Sequence, residues 1–180
     1  MIGRLLCILT IAFAPVLQPT ASAVDSVPQF LSNKSLVVAR IGESNQFTAY
    51  SKRTGEWTDY TFPKGVTVTP VTGAHLIAFA LEGDSIANLV AVDANGKWQI
   101  HKIADANAKI CTPHIGDNLA IYKIGETAYG FSGVSGVWDS IATKEMPQIS
   151  DASAMIVESG KISMFSSLSG KWSTSRDLSP

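Results

Sequence analysis

The sequence predicts an all-β chain built from four tandem repeats of a four-stranded antiparallel unit. Three observations carry that prediction. A short phrase recurs four times: Tyr50 to Trp57, Val92 to Trp98, Phe131 to Trp138 and Phe165 to Trp172. Its template is an apolar residue, a small polar turn, Gly, any residue and Trp, and it uses all 4 tryptophans. A proline phrase recurs upstream, with Pro28, Pro70, Pro113 and Pro147 spaced by 42, 43 and 34 residues. Self-similarity at such a period identifies the building block of a repeat fold. Finally, the apolar segments are short runs broken by Gly, Asn, Asp and Ser at hairpin spacing, and none carries the sustained stripe of a long helix.

The first element is not part of the repeats. Arg4 precedes an apolar run, Leu5 to Val16, interrupted by Thr10 and Pro15, and Ala21-Ser22-Ala23 supplies small residues at a cleavage position. This reads as a secretory signal peptide over residues 1–23. The run is too short and too interrupted for a membrane span. Cys7 lies too early in it to be a lipidation site. The expected location is secreted or periplasmic. Cleavage leaves 157 residues, 24–180, and takes the net charge from -1 to -2. That length suits one β-repeat domain with a full core. A near-neutral surface argues against a general binder of nucleic acid or anionic membrane. Cys111 is then the only cysteine, so burial and not a disulfide must hold the exported domain together.

The repeats are expected at about 27–68, 69–111, 112–145 and 146–180. Each starts at its proline, near the beginning of a first strand, where a missing N–H is tolerated. The second strands are the apolar runs Leu36 to Ile41, Leu76 to Leu81, Leu119 to Ile124 and Ala154 to Val157. Polar hairpins follow each, and a third strand leads into the turn before the Trp. In the second repeat the strands fall at Val66 to Val71, Ala74 to Leu81, Ile86 to Val92 and Lys97 to Ile103. Leu76 to Leu81 has no polar position, so both of its faces should be covered, since a strand with one wet face alternates. The fourth strands are more polar, as in Gln99, His101 and Lys102 or Ser173 to Arg176, which suits an outer edge. Small sheets stacked around an axis, each covered by a neighbour on either side, form a β-propeller.

The Gly-x-Trp phrase and the period resemble the kelch-like and quinoprotein-like blade repeats over residues 27–180. The paired glycines of kelch, the Gly-His of WD40 and a quinone-binding set are absent, and Trp-Asp occurs in one repeat only, at Trp138-Asp139, and not as a recurring signature. Four blades resemble the haemopexin-type count, whose ring is closed by a disulfide that this chain has no cysteine pair to make. Closure is therefore expected either by packing of the first and last repeats or by pairing of two chains into a larger ring. A β-sandwich or open array is the alternative architecture.

Among candidate site residues, Gly55, Trp57, Gly96, Trp98, Gly136, Trp138, Gly170 and Trp172 are read as structural repeat positions. An indole face suits sugar stacking, but repetition at one position favours packing between blades. Trp57 would differ if it were exposed. The hairpin after each second strand carries an acid: Glu43, Glu82 with Asp84, Glu126 and Glu158. On a shared rim these could ring an axis mouth and attract Ca²⁺ or a cationic ligand, although ordinary solvated turn charge is the simpler reading. No loop has the Asp spacing of an EF-hand. His75, His101 and His114 are non-equivalent and form no zinc motif. Cys111 aligns with Val68 and reads as a buried hydrophobe, with an interchain disulfide as the alternative. Asn33-Lys34-Ser35 is a glycosylation sequon.

No nucleophile elbow, P-loop or dinucleotide fingerprint is present. The expected function is an exported binding or scaffold module for a protein, glycan or small ligand, without a cofactor and with homo-oligomerisation open. The alternative is a hydrolase- or lyase-type enzyme with a site at the axis mouth. The longer first two repeats, around Thr61 to Thr72 and Lys102 to Lys109, are where specificity should lie.

Overall fold

The computed structural model describes residues 30–104 and 107–178. The signal segment with its cleavage position, Cys7 and Pro28 lie outside the described residues. Those described are all β, in four antiparallel meanders, and no helix among them is long and apolar enough to cross a membrane. The first sheet runs β1 (Phe30–Ser32), β2 (Leu36–Arg40), β3 (Gln46–Ser51) and β4 (Trp57–Thr61). The second runs β5 (Thr67–Thr72), β6 (Ile77–Glu82), β7 (Asn88–Val92) and β8 (Trp98–Lys102), with an extra strand β9 (Ile110–Cys111). The third runs β10 (Pro113–Ile115), β11 (Leu119–Ile124), β12 (Thr127–Ser132) and β13 (Trp138–Ala142). The fourth runs β14 (Gln148–Ile149), β15 (Ser153–Glu158), β16 (Lys161–Ser166) and β17 (Lys171–Trp172), with β18 (Arg176–Asp177) also on β16. These are the blades of a β-propeller.

The recurring phrase is the hairpin joining the third and fourth strands of each blade. Its two ends sit directly opposite each other: Tyr50 with Trp57, Val92 with Trp98, Phe131 with Trp138 and Phe165 with Trp172. An aromatic ring facing a large apolar partner is the strongest kind of cross-strand pair. The turn requires a left-handed residue, and φ is 77° at Gly55 and 79° at Gly96. The first turn residue also braces the hairpin. Ser51 Oγ accepts from the backbone N–H groups of Arg53 and Thr54, and Ser132 Oγ from those of Val134 and Ser135.

Each sheet has a leading face, toward the preceding blade, and a trailing face, toward the following one. The Trp lies on the leading face and the residue three further on lies on the trailing face. Trp98 of the second blade stacks on Tyr60 of the first at 5.3 Å and 22°, with Phe79 on its other side at 5.5 Å and 23°. Trp138 of the third blade stacks on His101 of the second at 5.6 Å and 24°. Hydrogen bonds repeat across the same junctions. Ser51 Oγ donates to the Ala94 carbonyl, Ala94 N–H to the Gly133 carbonyl and Ser132 Oγ to the Ser167 carbonyl.

Covering on both faces explains the unbroken apolar runs. Nearly every residue of β6, β7, β11 and β12 is buried. In β2, β3, β15 and β16, by contrast, buried residues alternate with more open ones. Among the described residues, the first and last blades therefore each have one face without a covering sheet.

The second blade departs from the repeat. The β7 strand pairs with β6 only at Ile77–Val92 and Ala78–Ala91. At the next residue, Phe79, the Tyr122 hydroxyl of the third blade replaces it, accepting from the Phe79 N–H at 3.1 Å and donating to the Phe79 carbonyl at 2.9 Å. Beyond that, β9 takes over the same strand at Leu81 and Glu82. Pro70, opposite Phe79, has no N–H to give and sits where none is needed. Tyr122 is fully buried, and burial holds its phenol protonated far above the ordinary range. Leaving these backbone groups unmet would cost about 1–3 kcal/mol. Cys111 is buried on β9 opposite Leu81, in the same core as Val68. In the fourth blade the outer strand is split between β17 and β18.

The stacked His101 makes the second junction sensitive to pH. Burial lowers its pKa below 6.5, with the Asp139 carboxylate opposing that shift. A lowered histidine pKa means that the folded state binds fewer protons than the unfolded chain. Stability is therefore lost as pH falls below 6.5 and levels off once pH is under the lowered folded value. Melting curves of wild type and His101→Phe should diverge below pH 6.5, the variant keeping the ring stack and losing this slope. Parallel curves would show that the ring is not desolvated.

Candidate functional site

The hairpins sort onto two rims. One gathers the Gly-x-Trp turns and the turns between first and second strands. The other gathers the acidic hairpins and the links between blades. On the first rim, the covered tryptophans Trp98, Trp138 and Trp172 are half-buried, and their indole N–H atoms are buried with no acceptor among the described residues. Their faces belong to the blade junctions. Trp57 stands apart. It is 62% exposed, and its ring lies 4.9 Å from Tyr50. Gly96 and Gly136 press on the preceding blade, where an added Cβ would meet Ser51 at 2.9 Å and Asp93 at 2.5 Å. Gly170 lies as close to Ser135, whereas Gly55 has nothing within 4 Å.

On the second rim, Glu43, Glu82, Asp84 and Glu126 are exposed and Glu158 is half-buried. Among the described residues no three acidic, histidine or cysteine side chains converge as a metal site. The third- and fourth-blade acids meet at Lys144 instead. Its ammonium lies 3.9 Å from Glu126, and its backbone N–H donates to Glu158 at 3.1 Å. That hydrogen bond, with help from the Thr143 hydroxyl, lowers the Glu158 pKa. Exposed pairs of this kind add little to stability.

Between the first and second blades lies a cleft of about 520 Å³. Phe30 and Leu31 of β1, Val38 of β2, Phe47 of β3 and Val68 and Pro70 of β5 form its apolar walls. Arg40 brings the single charge. It arrives at the end of β2, pointing to the trailing face in register with Phe47. Its guanidinium lies 5.1 Å from the Phe47 ring centroid and donates to the Val68 carbonyl at 2.7 Å. No carboxylate among the described residues forms an ion pair with it. The arrangement presents fixed cationic donors at the end of an apolar wall. The lone charge in the run Leu36 to Ile41 is the sequence signal for this site, and the spacing of the repeats did not expose it.

A second constellation lies on the first rim. Ser35 Oγ and His75 Nδ1 are 2.7 Å apart. The Asn33 side chain holds this corner together. Its amide nitrogen donates to the carbonyls of Gly73 and Leu76, and its oxygen accepts from the N–H groups of Ser35 and Leu36. The amide nitrogen of the sequon is thus committed to the junction. No carboxylate hydrogen-bonds the other ring nitrogen of His75 among the described residues. His114 stands on β10 without a metal cluster, and His101 lies in the stack described above. The longer segment Lys102 to Lys109 is followed by β9, which pairs with β6 at Leu81 and Glu82. The other segment supplies the β5 wall of the cleft.

No protein-family model matches the chain, and no curated protein is significantly similar to it in sequence. Solved structures similar to it include a streptogramin B lyase, at 12% identity and a TM-score of 0.38. Another is the selenomethionine-substituted virginiamycin B lyase from Staphylococcus aureus, at 17% identity and a TM-score of 0.36. Each comparison covers 87% of this chain, which spans 56% and 57% of the lengths of those two proteins.

Proposed function

We propose that this is an exported binding protein that takes a small ligand with an apolar body and an anionic group in the cleft between its first two blades. The observation that carries the reading is the Arg40 guanidinium at the end of an apolar wall. Ligand sites are typically clefts of about 300–1,000 Å³ with mostly apolar linings and a few placed polar groups. A guanidinium fixed by a carbonyl and an aromatic ring offers its remaining N–H donors to a carboxylate or phosphate at little ordering cost. The export half of the reading rests on the Arg4, Leu5 to Val16 and Ala21-Ser22-Ala23 pattern. Protein recovered outside the cytoplasm should begin at Val24, by mass and N-terminal sequencing. An intact residue 1–23 segment on the exported protein would remove cleavage from the account.

The binding test is a melting-temperature panel of aromatic and branched aliphatic carboxylates, each paired with its amide. A ligand at 100 times its Kd should stabilise by about 2.7 kcal/mol, or roughly 5–10 °C for a domain of this size. The amides should bind roughly ten- to a hundredfold more weakly, the scale of one charged hydrogen bond. Arg40→Met, which keeps an unbranched side chain against Phe47 and removes the charge, should abolish the carboxylate shifts and leave a folded protein. Equal shifts in that variant would place the ligand elsewhere, and no shift with any carboxylate would overturn the reading.

A hydrolytic enzyme is the second reading, favoured by the 2.7 Å Ser35–His75 contact, which is within the reach a nucleophile and its base need. It ranks second because no third group among the described residues orients the imidazole. A fluorophosphonate probe should label wild type at Ser35 and leave Ser35→Ala unlabelled if this reading holds. An unlabelled wild type removes it.

A further inference from the structure

We infer that the leading face of the first blade and the trailing face of the fourth are two halves of one junction, completed by a second copy of this chain to give a closed ring of eight blades. The chain builds that junction three times internally. In each, the tip of one Gly-x-Trp hairpin lies against its counterpart in the preceding blade. A side chain just after the Trp also reaches the next hairpin. Thr58 Oγ1 donates to the Gly96 carbonyl at 2.5 Å, and Asp139 accepts from the Trp172 N–H at 2.8 Å.

Both unused halves are present and, among the described residues, open. On the first blade, Trp57 is 62% exposed where Trp98 and Trp138 lie under Tyr60 and His101. Gly55 meets nothing where Gly96, Gly136 and Gly170 are in contact. Ile41 lies on the same open face. On the fourth blade, the positions equivalent to Val38, Ala49 and Arg40 are Met155, Met164 and Val157. Val38 and Ala49 are sealed, whereas Met164 is 38% and Val157 45% exposed. Ser166 stands where Ser51 and Ser132 donate to the next blade, and Ser173 where Thr58 and Asp139 reach it. The faces also carry opposite charges, with Asp59 on the first blade and Lys171 and Arg176 on the fourth.

A head-to-tail interface either closes into a ring or runs on as a filament. Two four-blade arcs related by a two-fold along the axis form the junction twice and leave no open face. The contacts implied are Gly55 of one copy against Ser166 of the other, with Trp57 covered by the partner's fourth strand. This pairing is independent of what the cleft binds.

The test is sedimentation equilibrium of the purified chain over a range of concentrations. The expected result is twice the chain mass. Met164→Glu and Trp57→Glu, both at exposed positions, should each shift the population to a folded monomer with an unchanged far-UV spectrum. Asp59→Arg and Arg176→Glu should each weaken the dimer at least tenfold and largely restore it when combined across copies. A wild-type monomer at all concentrations would overturn the inference, as would a dimer indifferent to both glutamate variants. Open polymers would retain the junction but overturn the eight-blade ring.

Discussion

A four-stranded sheet with two apolar faces cannot stand alone in water, and every feature of this chain follows from how those faces are covered. Each blade of about forty residues is too small to bury its own core. Burial comes from stacking. The Trp of one blade slides beneath the aromatic or histidine ring of the blade before it, and the hairpin tips exchange hydrogen bonds around the rim. Phe47, Phe62 and Phe79 meet around Trp98 in edge and stacked contacts, which gives the first junction the densest aromatic packing. The offset and edge geometries are those that aromatic quadrupoles prefer.

The same requirement explains where the repeats disagree. In the second blade β7 leaves β6 early, and three different partners share the edge it vacates or shortens: β7 itself, the Tyr122 hydroxyl and β9. That solution brings the connection to the third blade under the second, fastening the two middle blades. At the first junction the longer segment supplies β5 as one wall of the cleft, where Arg40 lies on Phe47 and donates to the Val68 carbonyl. Departures from the repeat are where loops and clefts of repeat proteins acquire individual character.

Much of the architecture was legible in the chain. The Gly-x-Trp phrase marks a hairpin because its Gly must adopt positive φ and its Trp must face an apolar partner across the strands. The proline phrase marks first strands, and Pro70 lies in β5 and Pro113 begins β10. Strand starts were less legible: β6 begins at Ile77 and not Ala74, because Gly73 and Leu76 close the preceding turn by a backbone hydrogen bond. The candidate sites were less legible still. Ser35 and His75 are forty positions apart and touch because equivalent turns of adjacent blades abut. Arg40 reads as one charge in an apolar run, and only the placement of β5 beside the first blade gives it a cleft to serve.

By itself the sequence determined the unit of this fold, its number and its hairpins, because those depend on local backbone preference and on pairs of residues close along the chain. It also carried the polarity of the strands: covered ones are apolar throughout, and edge strands are mixed. The tertiary structure alone decided which face of each blade is covered and which is open. Trp57 and Trp98 occupy the same place in the same phrase, yet one is exposed and the other stacked. The difference is whether a ring of another described sheet lies over it, and that depends on the position of neighbouring sheets in space, which no local pattern encodes.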